Sequence, residues 1–392
     1  MKRLIFFSLA VLLMTGCKQQ DDESMFPDRP DVREYVVSTD EAENAAFYFL
    51  YMTDNQVQTR NAVRDVKDAP VIKKKFTIEG YNGKPAMHVI NYEKGGFTVI
   101  SGDKRFFPVI AFSDEGEWIN DYEEYPEGLS YWIDCIKNEI IAMDEQGIEQ
   151  TKELKYLWET FVPSVTTRII TPPAHPCEDP ENYEKYIAPL IYSNWHQESP
   201  YNNKMPKIFC GGDSINAYTG CIPIAVAQIA RYHQFPTSYS WSNMTDSTVV
   251  SGLVRDIFDY FNSINAVVAY DCSGTWIYNY AIGNIFSNWG YSSCTTTTLR
   301  DNFDSTNPGN TVSPLILLGT NSMYGGHAWI CDGFMENIHC YNNDGIWQWY
   351  TQAWFHMRWG WSVNSDMWCI EGTTYADGTY SFSNIGALKP LP

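Results

Sequence analysis

One cysteine stands where a helix could make its thiol reactive. Cys221 follows Gly220 and precedes residues 222–230 (IPIAVAQIA), which are apolar on almost every side. That pattern is typical of a buried helix, and Pro223 is tolerated in a first helical turn. A helix N-terminus favours an anion and lowers a thiol pKa, while Gly220 allows another segment to approach closely. Cys221 is therefore a candidate nucleophile; a structural cysteine or half of a disulfide is the alternative.

A thiolate nucleophile needs an imidazole to carry protons, and the chain has 7 histidines. His233 lies on the same predicted helix as Cys221, about 18 Å further along its axis, which excludes it as the partner. His327 follows two glycines and opens the predicted strand HAWICDGF, so its ring is exposed at a strand end facing a cleft. His327 is therefore the candidate general base, with a hydrogen-bonded core histidine as the alternative.

Three further positions could complete such a site. Gln197, in the stretch NWHQESPYN, carries an amide that could donate to a developing oxyanion together with the Cys221 backbone N–H. A glutamine is just as readily an ordinary surface residue. Trp359 and Trp361, in FHMRWGWS, occupy alternate positions of a predicted strand and so face one side. They could cover the histidine and line a substrate cleft, or pack in the core.

The rest of the chain divides into elements able to position these residues. Residues 34–150 predict an α+β unit with a helix at 42–52, strand-like runs that alternate at period two, and an amphipathic helix at 128–144. Residues 151–186 are rich in proline and predict a linker open to proteolytic nicking. Residues 187–392 predict a second unit that opens with a helix and continues as successive strands, SPLILL, HAWICDGF, NIHCYNND and QAWFHMRWGW.

The N-terminus predicts export. Two basic residues precede the apolar run 4–14, which is shorter than the roughly 20 residues that span a bilayer and is typical of a signal peptide. The TGC that follows resembles a bacterial lipobox, whose cysteine is lipidated. We therefore predict a signal peptide over 1–16, a lipid anchor at Cys17 and an acidic tether over 17–33. An ordinary signal peptide with an incidental cysteine is the alternative.

Composition and charge narrow the possible partners. The net charge of -20 argues against binding to nucleic acid, because phosphate neutralisation requires Lys and Arg. Cys17 is followed by nine further cysteines, an odd number, so at least one thiol stays free unless it pairs between chains. No CxxC spacing occurs, and neither a metal nor an organic cofactor is expected.

Taken together, these segments resemble the streptopain family of papain-like cysteine peptidases. WHQESPYN, TGCIPIAVAQI, GGHAWICDGF and RWGW match, in that order, motifs of its catalytic domain, and GGFTVISGDKRFFPVIAFSDEGEW matches its inhibitory prodomain. The resemblance implies an α+β, papain-like catalytic domain over 187–392 and a small α+β prodomain over 34–150. It further implies a zymogen whose substrates are proteins or peptides and whose own prodomain is an intramolecular inhibitor.

The resemblance also implies roles for the candidate residues. Cys221 would form a thioester with the substrate, His327 would act as base and then acid, and Gln197 would belong to the oxyanion hole. Trp359 would shield and orient His327, with Trp361 in the cleft.

One departure from the family matters for the candidate site. The Asn that precedes Trp-Gly-Trp in the family is Arg358 here. We expect Arg358 to be one of the residues that orient the histidine or line the cleft. A guanidinium only donates hydrogen bonds, and a cation near His327 would disfavour imidazolium. Either Trp359 or a backbone carbonyl holds the ring, or activity is reduced.

Two other functions stay open. The chain could be a catalytically weak or inactive surface lipoprotein that binds peptide or glycan in a peptidase-like cleft, or a protease inhibitor built on the first unit. In each case the predicted location is the bacterial outer membrane or cell surface, with release of the mature peptidase domain as a further option. The reactivity of the Cys221 thiol separates the peptidase from the other two.

Overall fold

The computed structural model describes residues 35–58, 70–121, 125, 127–162, 185–321, 325–343, 346–361, 366–375, 378–381 and 386–392. The predicted signal peptide, the lipid anchor at Cys17 and the tether lie outside these residues. The helices are α1 (Thr39–Gln58), α2 (Glu127–Gln146), α3 (Lys152–Phe161), α4 (Cys221–His233), α5 (Ser247–Ser263), α6 (Ala281–Asn288) and α7 (Leu299–Phe303). The strands are β1 (Ile72–Glu79), β2 (Pro85–Tyr92), β3 (Phe97–Ser101), β4 (Val109–Ser113), β5 (Lys185–Ile187), β6 (Lys207–Cys210), β7 (Asp213–Asn216), β8 (Val267–Asp271), β9 (Gly274–Ile277), β10 (Ser293–Thr297), β11 (Leu315–Asn321), β12 (Gly325–Asn343), β13 (Ile346–Arg358), β14 (Met367–Ile370), β15 (Gly372–Tyr375), β16 (Gly378–Ser381) and β17 (Gly386–Leu391).

The first unit has the helix, antiparallel sheet and second helix that its sequence predicts. Strands β1 to β4 pair in chain order. Strands β2 and β3 are buried along nearly their whole length, although the sequence alternates, because α1 packs on both strands and α2 packs on β2. The α+β class expected for this unit is therefore present.

The predicted linker begins too early. Residues 152–161 form α3, which starts at the N-cap Thr151, whose hydroxyl accepts the Leu154 N–H at 3.3 Å. The helix buries Leu154, Leu157, Trp158 and Phe161. The ring of Phe161 lies 4.9 Å from that of Tyr48 on α1. This spacing of apolar residues is the helical period, so α3 belongs to the first unit's core and the linker prediction from residue 151 was wrong here.

The two units share one antiparallel sheet. Its eleven strands run β1-β2-β3-β4-β14-β13-β12-β11-β17-β10, with β5 also paired to β12. Strand β4 of the first unit meets β14 of the second through the register pairs Phe112↔Trp368 and Ala111↔Cys369. The rings of Phe112 and Trp368 stack with centroids 6.2 Å apart. One core cluster therefore contains residues of both units.

The second unit is more helical than its sequence suggested. Helices α5, α6 and α7 occupy part of the region that we read as strand-rich. Helix α5 buries Val250, Leu253, Val254, Ile257, Phe258 and Phe261, a helical period, and Asp246 caps it by accepting the Thr248 N–H at 2.7 Å. A second core cluster joins α4, α5 and α6 to one face of β11 and β12.

Strand boundaries differ from the prediction in one more place. HAWICDGF and NIHCYNND, expected as two strands, form the single long strand β12, which pairs with β11 from Gly325 to Cys331 and with β13 from Ile330 to Asn343. One disulfide, Cys210–Cys272, ties the β6–β7 hairpin to the β8–β9 hairpin. The free cysteines of the described chain are Cys135, Cys221, Cys294, Cys331 and Cys369. No helix in the described residues has the length and apolar character needed to cross a membrane.

Candidate active site

Cys221 is the first residue of α4, as its sequence context predicts. Its N-cap, Gly220, has φ +85°, and a β-carbon there would lie 2.9 Å from the carbonyl oxygen of Thr275. Only glycine permits this approach. The Cys221 Sγ accepts the backbone N–H of Ala328 at 3.4 Å. The thiol therefore lies at a helix N-terminus, in contact with the strand that carries His327.

His327 lies on β12 immediately before Ala328, and its side chain is 4% exposed. Neighbouring strand residues point to opposite faces, and the ring of His327 stacks on that of Trp329 with centroids 6.0 Å apart. Its Nε2 lies 3.3 Å from the backbone oxygen of Trp359. Because a carbonyl only accepts, this contact assigns the donated proton to Nε2.

Gln197 lines the same cavity as Cys221. Its backbone oxygen accepts the Thr219 N–H at 3.1 Å, which fixes it beside the turn into α4. Its side chain is 5% exposed, and its Nε2 has no hydrogen-bond partner among the described residues. A buried amide donor without a partner costs free energy. A bound ligand that supplies an acceptor to Gln197 Nε2 would remove that cost.

The cavity beside the thiol has a volume of about 530 Å³. Its lining, apart from Cys221, Gln197, Ile222 and Trp361, comes from the β8–β9 hairpin and the residues after it: Val268, Ser273, Gly274, Thr275, Trp276, Ile277, Tyr278, Asn279 and Tyr280. The Thr275 hydroxyl donates to the Tyr218 oxygen at 2.6 Å, and the Cys210–Cys272 disulfide holds the tip of the hairpin. A concave, mainly apolar lining with few polar groups suits a ligand with apolar side chains.

Trp359 and Trp361 do not share a strand face. Strand β13 ends at Arg358, and Gly360 takes φ +76°, which turns the chain. Trp359 is 1% exposed and packs against Trp329 with ring centroids 5.6 Å apart. Trp361 lines the cavity, with its ring 6.2 Å from Tyr218. The expectation of one common face was wrong because it extended β13 past its end.

The Arg358 guanidinium contacts two carboxylates and a backbone carbonyl. Its Nε donates to Asp332 at 2.9 Å and its Nη1 to Asp366 at 3.1 Å, and Nη2 donates to the Ile191 oxygen. Burial alone would raise the pKa of Asp332, but hydrogen bonding with His356 and the charges of His356 and Arg358 hold that pKa below its ordinary value. Among the described contacts, the guanidinium therefore faces carboxylates, and the expectation of a cation beside the imidazole stays a prediction.

The first unit reaches the histidine. A β-carbon built at Gly128, near the start of α2, would lie 2.7 Å from His327 Cδ2 and 2.6 Å from Trp359 Cε3. The ring of Tyr131, one turn later, lies 6.4 Å from that of Trp329. The start of α2 thus packs closely against the rings of His327 and Trp359.

Sequence reasoning missed several residues of this site. Trp329 and Asp332 lie within the stretch GGHAWICDGF, but no role was predicted for them from the sequence. Gly128 and the 268–280 hairpin carry no local signal, because only the tertiary fold brings them to the thiol. Within the described residues, no group of three or more His, Cys, Asp or Glu side chains could hold a metal ion.

Comparison with known families matches both units. The family model described as Spi protease inhibitor matches residues 34–140, and the Peptidase C10 family model matches residues 195–369. Streptopain from Streptococcus pyogenes is 26% identical over 202 residues, 50% of this chain and 43% of that protein. The thiol protease/hemagglutinin PrtT from Porphyromonas gingivalis is 24% identical over 312 residues, 70% of this chain and 32% of that protein. The chain thus spans less than half the length of these relatives.

A solved structure shares the fold. A fragment of Prevotella intermedia prointerpain A superposes with a TM-score of 0.51 at 18% identity, covering 81% of this chain and 98% of the fragment. This likeness confirms the predicted α+β, papain-like fold with a preceding prodomain. The two family matches together take in most of the chain and lead to one conclusion: residues 34–140 match the Spi protease inhibitor family and residues 195–369 match the Peptidase C10 family, which confirms the predicted resemblance to the streptopain family and its N-terminal inhibitor domain.

Proposed function

We propose that the chain is an exported cysteine endopeptidase made as a zymogen. The observation that carries the proposal is the pairing of Cys221, at the N-terminus of α4, with the buried and unpartnered Gln197 amide in one cavity. The positive end of the α4 dipole lies at Cys221. The amide supplies a donor aimed at the place where negative charge develops during attack.

Acylation follows from these groups. The Cys221 thiolate attacks the carbonyl carbon of a peptide bond, a C–S bond forms, and the carbonyl electron pair moves onto oxygen. The Cys221 N–H and Gln197 Nε2 donate to that oxyanion. As it collapses, the C–N bond breaks and the His327 imidazolium gives its proton to the leaving amine. With Nε2 held by the Trp359 oxygen, this proton exchange belongs to Nδ1.

Deacylation reverses the roles. His327 takes a proton from water, the resulting hydroxide attacks the thioester carbon, and the same two donors hold the second oxyanion. The C–S bond breaks, the carboxylic acid leaves, and the thiolate–imidazolium pair is restored. The apolar cavity formed with the 268–280 hairpin would hold apolar substrate side chains next to the bond that is cut.

Latency is assigned to the first unit. The close approach of Gly128 to His327 and Trp359 supports a prodomain that restrains the imidazole while it is in place. Cleavage between Val162 and Lys185, in the Pro-rich stretch, would begin activation. The match of residues 34–140 to the Spi protease inhibitor model supports the same assignment.

Location is proposed from the N-terminal sequence. A signal peptide over 1–16 and a lipid on Cys17 would anchor the chain to the outer membrane or cell surface. A Cys17→Ser variant should lose lipid labelling and leave the membrane fraction. Membrane retention of that variant would contradict the anchor.

The catalytic proposal is tested on the full chain after trypsin has cut the linker and the first unit has been digested. Cys221→Ala should lower peptide hydrolysis to the uncatalysed background, and an iodoacetamide probe at neutral pH should label Cys221 in the parent protein. The matched control is Cys294→Ala: burial raises the pKa of the Cys294 thiol to about 11, so its loss should leave hydrolysis unchanged. Hydrolysis that survives Cys221→Ala would refute the proposal. An unreactive Cys221 in a protein that binds peptides or glycans would favour a non-catalytic cleft.

A further inference from the structure

The Arg358 side chain joins three segments around the site. It donates from Nε to Asp332 on β12, from Nη1 to Asp366 just before β14, and from Nη2 to the backbone oxygen of Ile191. Nη1 also lies 3.4 Å from the Ser193 oxygen. The side chain of Arg358 is 11% exposed and that of Asp332 is fully buried. A buried ion pair of this kind costs free energy unless its groups are also hydrogen-bonded. The guanidinium of Arg358 makes the hydrogen bonds that this requires.

One branch of this network leads to His327. Asp366, held by Arg358, accepts the backbone N–H of Trp359 at 3.2 Å. The other side of the same residue, the Trp359 carbonyl, accepts from His327 Nε2 at 3.3 Å. Strand β13 ends at Arg358, and Gly360, at φ +76°, turns the chain directly after Trp359. The Trp359 carbonyl therefore lies outside the paired part of β13. The orientation of the imidazole's acceptor therefore depends on the Arg358–Asp366 pair.

The second branch leads to Gln197. Asp332 accepts the Ile191 N–H at 2.9 Å through its carboxylate and the Leu190 N–H at 2.9 Å through its backbone oxygen. Arg358 adds its hydrogen bond to the Ile191 oxygen. The segment so held continues to Gln197, which lines the cavity. One guanidinium therefore spans the two halves of the site.

We propose that Arg358 is a positioning residue that fixes both the Trp359 carbonyl behind His327 and the segment carrying Gln197. The inference rests on the proposed peptidase function and assigns a role to a position where the family motif has Asn. A planar guanidinium can serve two carboxylates and a carbonyl at once, whereas the ammonium of lysine is a point charge on a flexible stem. A positive charge alone is therefore insufficient to hold these three partners, and Arg358→Lys should have a lower kcat than the parent.

The sign of the expected pH effect follows from the carbonyl contact. A hydrogen bond from imidazolium Nε2 to the Trp359 oxygen stabilises the charged ring. When that carbonyl loses its support, imidazolium loses its proton at lower pH. The alkaline limb of the kcat/KM profile should then move to lower pH. A residue that only stabilised the fold would lower the amount of active protein and leave the limb in place.

The experiment starts from full-length parent, Arg358→Lys and Arg358→Met, cuts the linker and digests the first unit, and compares the three proteins by peptide hydrolysis and by the pH dependence of Cys221 alkylation. We expect kcat to fall at least about tenfold, since small misplacements of catalytic groups are costly, with KM little changed and the alkaline limb shifted down. Arg300→Lys is the matched control: Arg300 also bridges two carboxylates, Glu336 and Glu371, but no described contact joins it to the site. It should keep the parent values.

The outcomes separate the two proposals. Parent-like kcat and pH profiles in Arg358→Lys, with hydrolysis intact, would overturn the positioning role and leave the peptidase assignment standing. A parent protein without Cys221-dependent hydrolysis would overturn the peptidase assignment. The pH dependence of Cys221 alkylation would then still test the positioning role of Arg358. If that pH dependence is the same in Arg358→Lys as in the parent, the positioning role is overturned as well. If Arg358→Met does not fold, Arg358→Lys, which keeps the charge beside Asp332, carries the test.

Discussion

Replacing Gly128 with alanine should loosen the latent state. A β-carbon at this position would lie 2.6 Å and 2.9 Å from two atoms of the Trp359 ring and 2.7 Å from His327 Cδ2, all closer than carbon atoms normally approach. Both rings are rigid and buried, so the clash is relieved by moving α2 away. Overpacking of this size costs about 1–3 kcal/mol, which corresponds to an increase in the open population of about 5- to 150-fold.

The assay is the rate at which an iodoacetamide probe alkylates Cys221 in the uncleaved chain. Gly128→Ala should raise that rate within the stated range and hasten linker cleavage. The matched control is Gly283→Ala, because Gly283 also lies in a helix, α6, and a β-carbon there meets nothing within 4 Å. Activity after complete removal of the first unit should equal that of the parent. A Gly128→Ala alkylation rate no higher than that of Gly283→Ala would refute the idea that α2 restrains the site.

Two further effects are expected. Gln197→Ala should lower kcat about 10²- to 10³-fold, the usual loss for one oxyanion donor, while Cys221 alkylation keeps its parent rate because the amide acts on the oxyanion. A loss of the Cys221 alkylation rate as large as the loss of kcat would contradict the role of Gln197 as an oxyanion donor. Burial lowers the pKa of His233 to about 4, whereas unfolded histidine titrates near about 6.5, so the unfolded state binds more protons between these values. The melting temperature should therefore fall as pH drops from about 6.5 toward 4, and His233→Gln should flatten that fall.

Local pattern was sufficient to predict the helix that begins at Cys221. The start of α4 at Cys221 follows from an apolar run behind a glycine and a first-turn proline, and His233 is excluded by helix geometry alone. Helix α3 could have been found in the same way, from the spacing of Leu154, Leu157 and Phe161. Helix α3 was missed because the prolines that follow it led to the prediction of a linker over the whole of residues 151–186.

The role of Arg358 could not be read locally. Its chemistry, a donor that never accepts, was inferred correctly from residue type, but its partners were not. Asp332 is 26 residues away in sequence and Ile191 is 167. The position therefore looked like a cation beside an imidazole, whereas the fold turns the guanidinium toward carboxylates. Residue type constrains what a side chain can bind, and only tertiary structure decides which partner it meets.

The shared sheet bears on how activation proceeds. Cleavage between Val162 and Lys185 would leave the β4–β14 pairing and the stack of Phe112 on Trp368 untouched, and the core cluster that spans both units would stay buried. Burial of apolar surface, which dominates association, does not depend on the covalent link. Nicking and release are therefore separate events. Between them, the approach of Gly128 to His327 would still restrain the imidazole, so the nicked protein should gain full activity only when the first unit is displaced or digested.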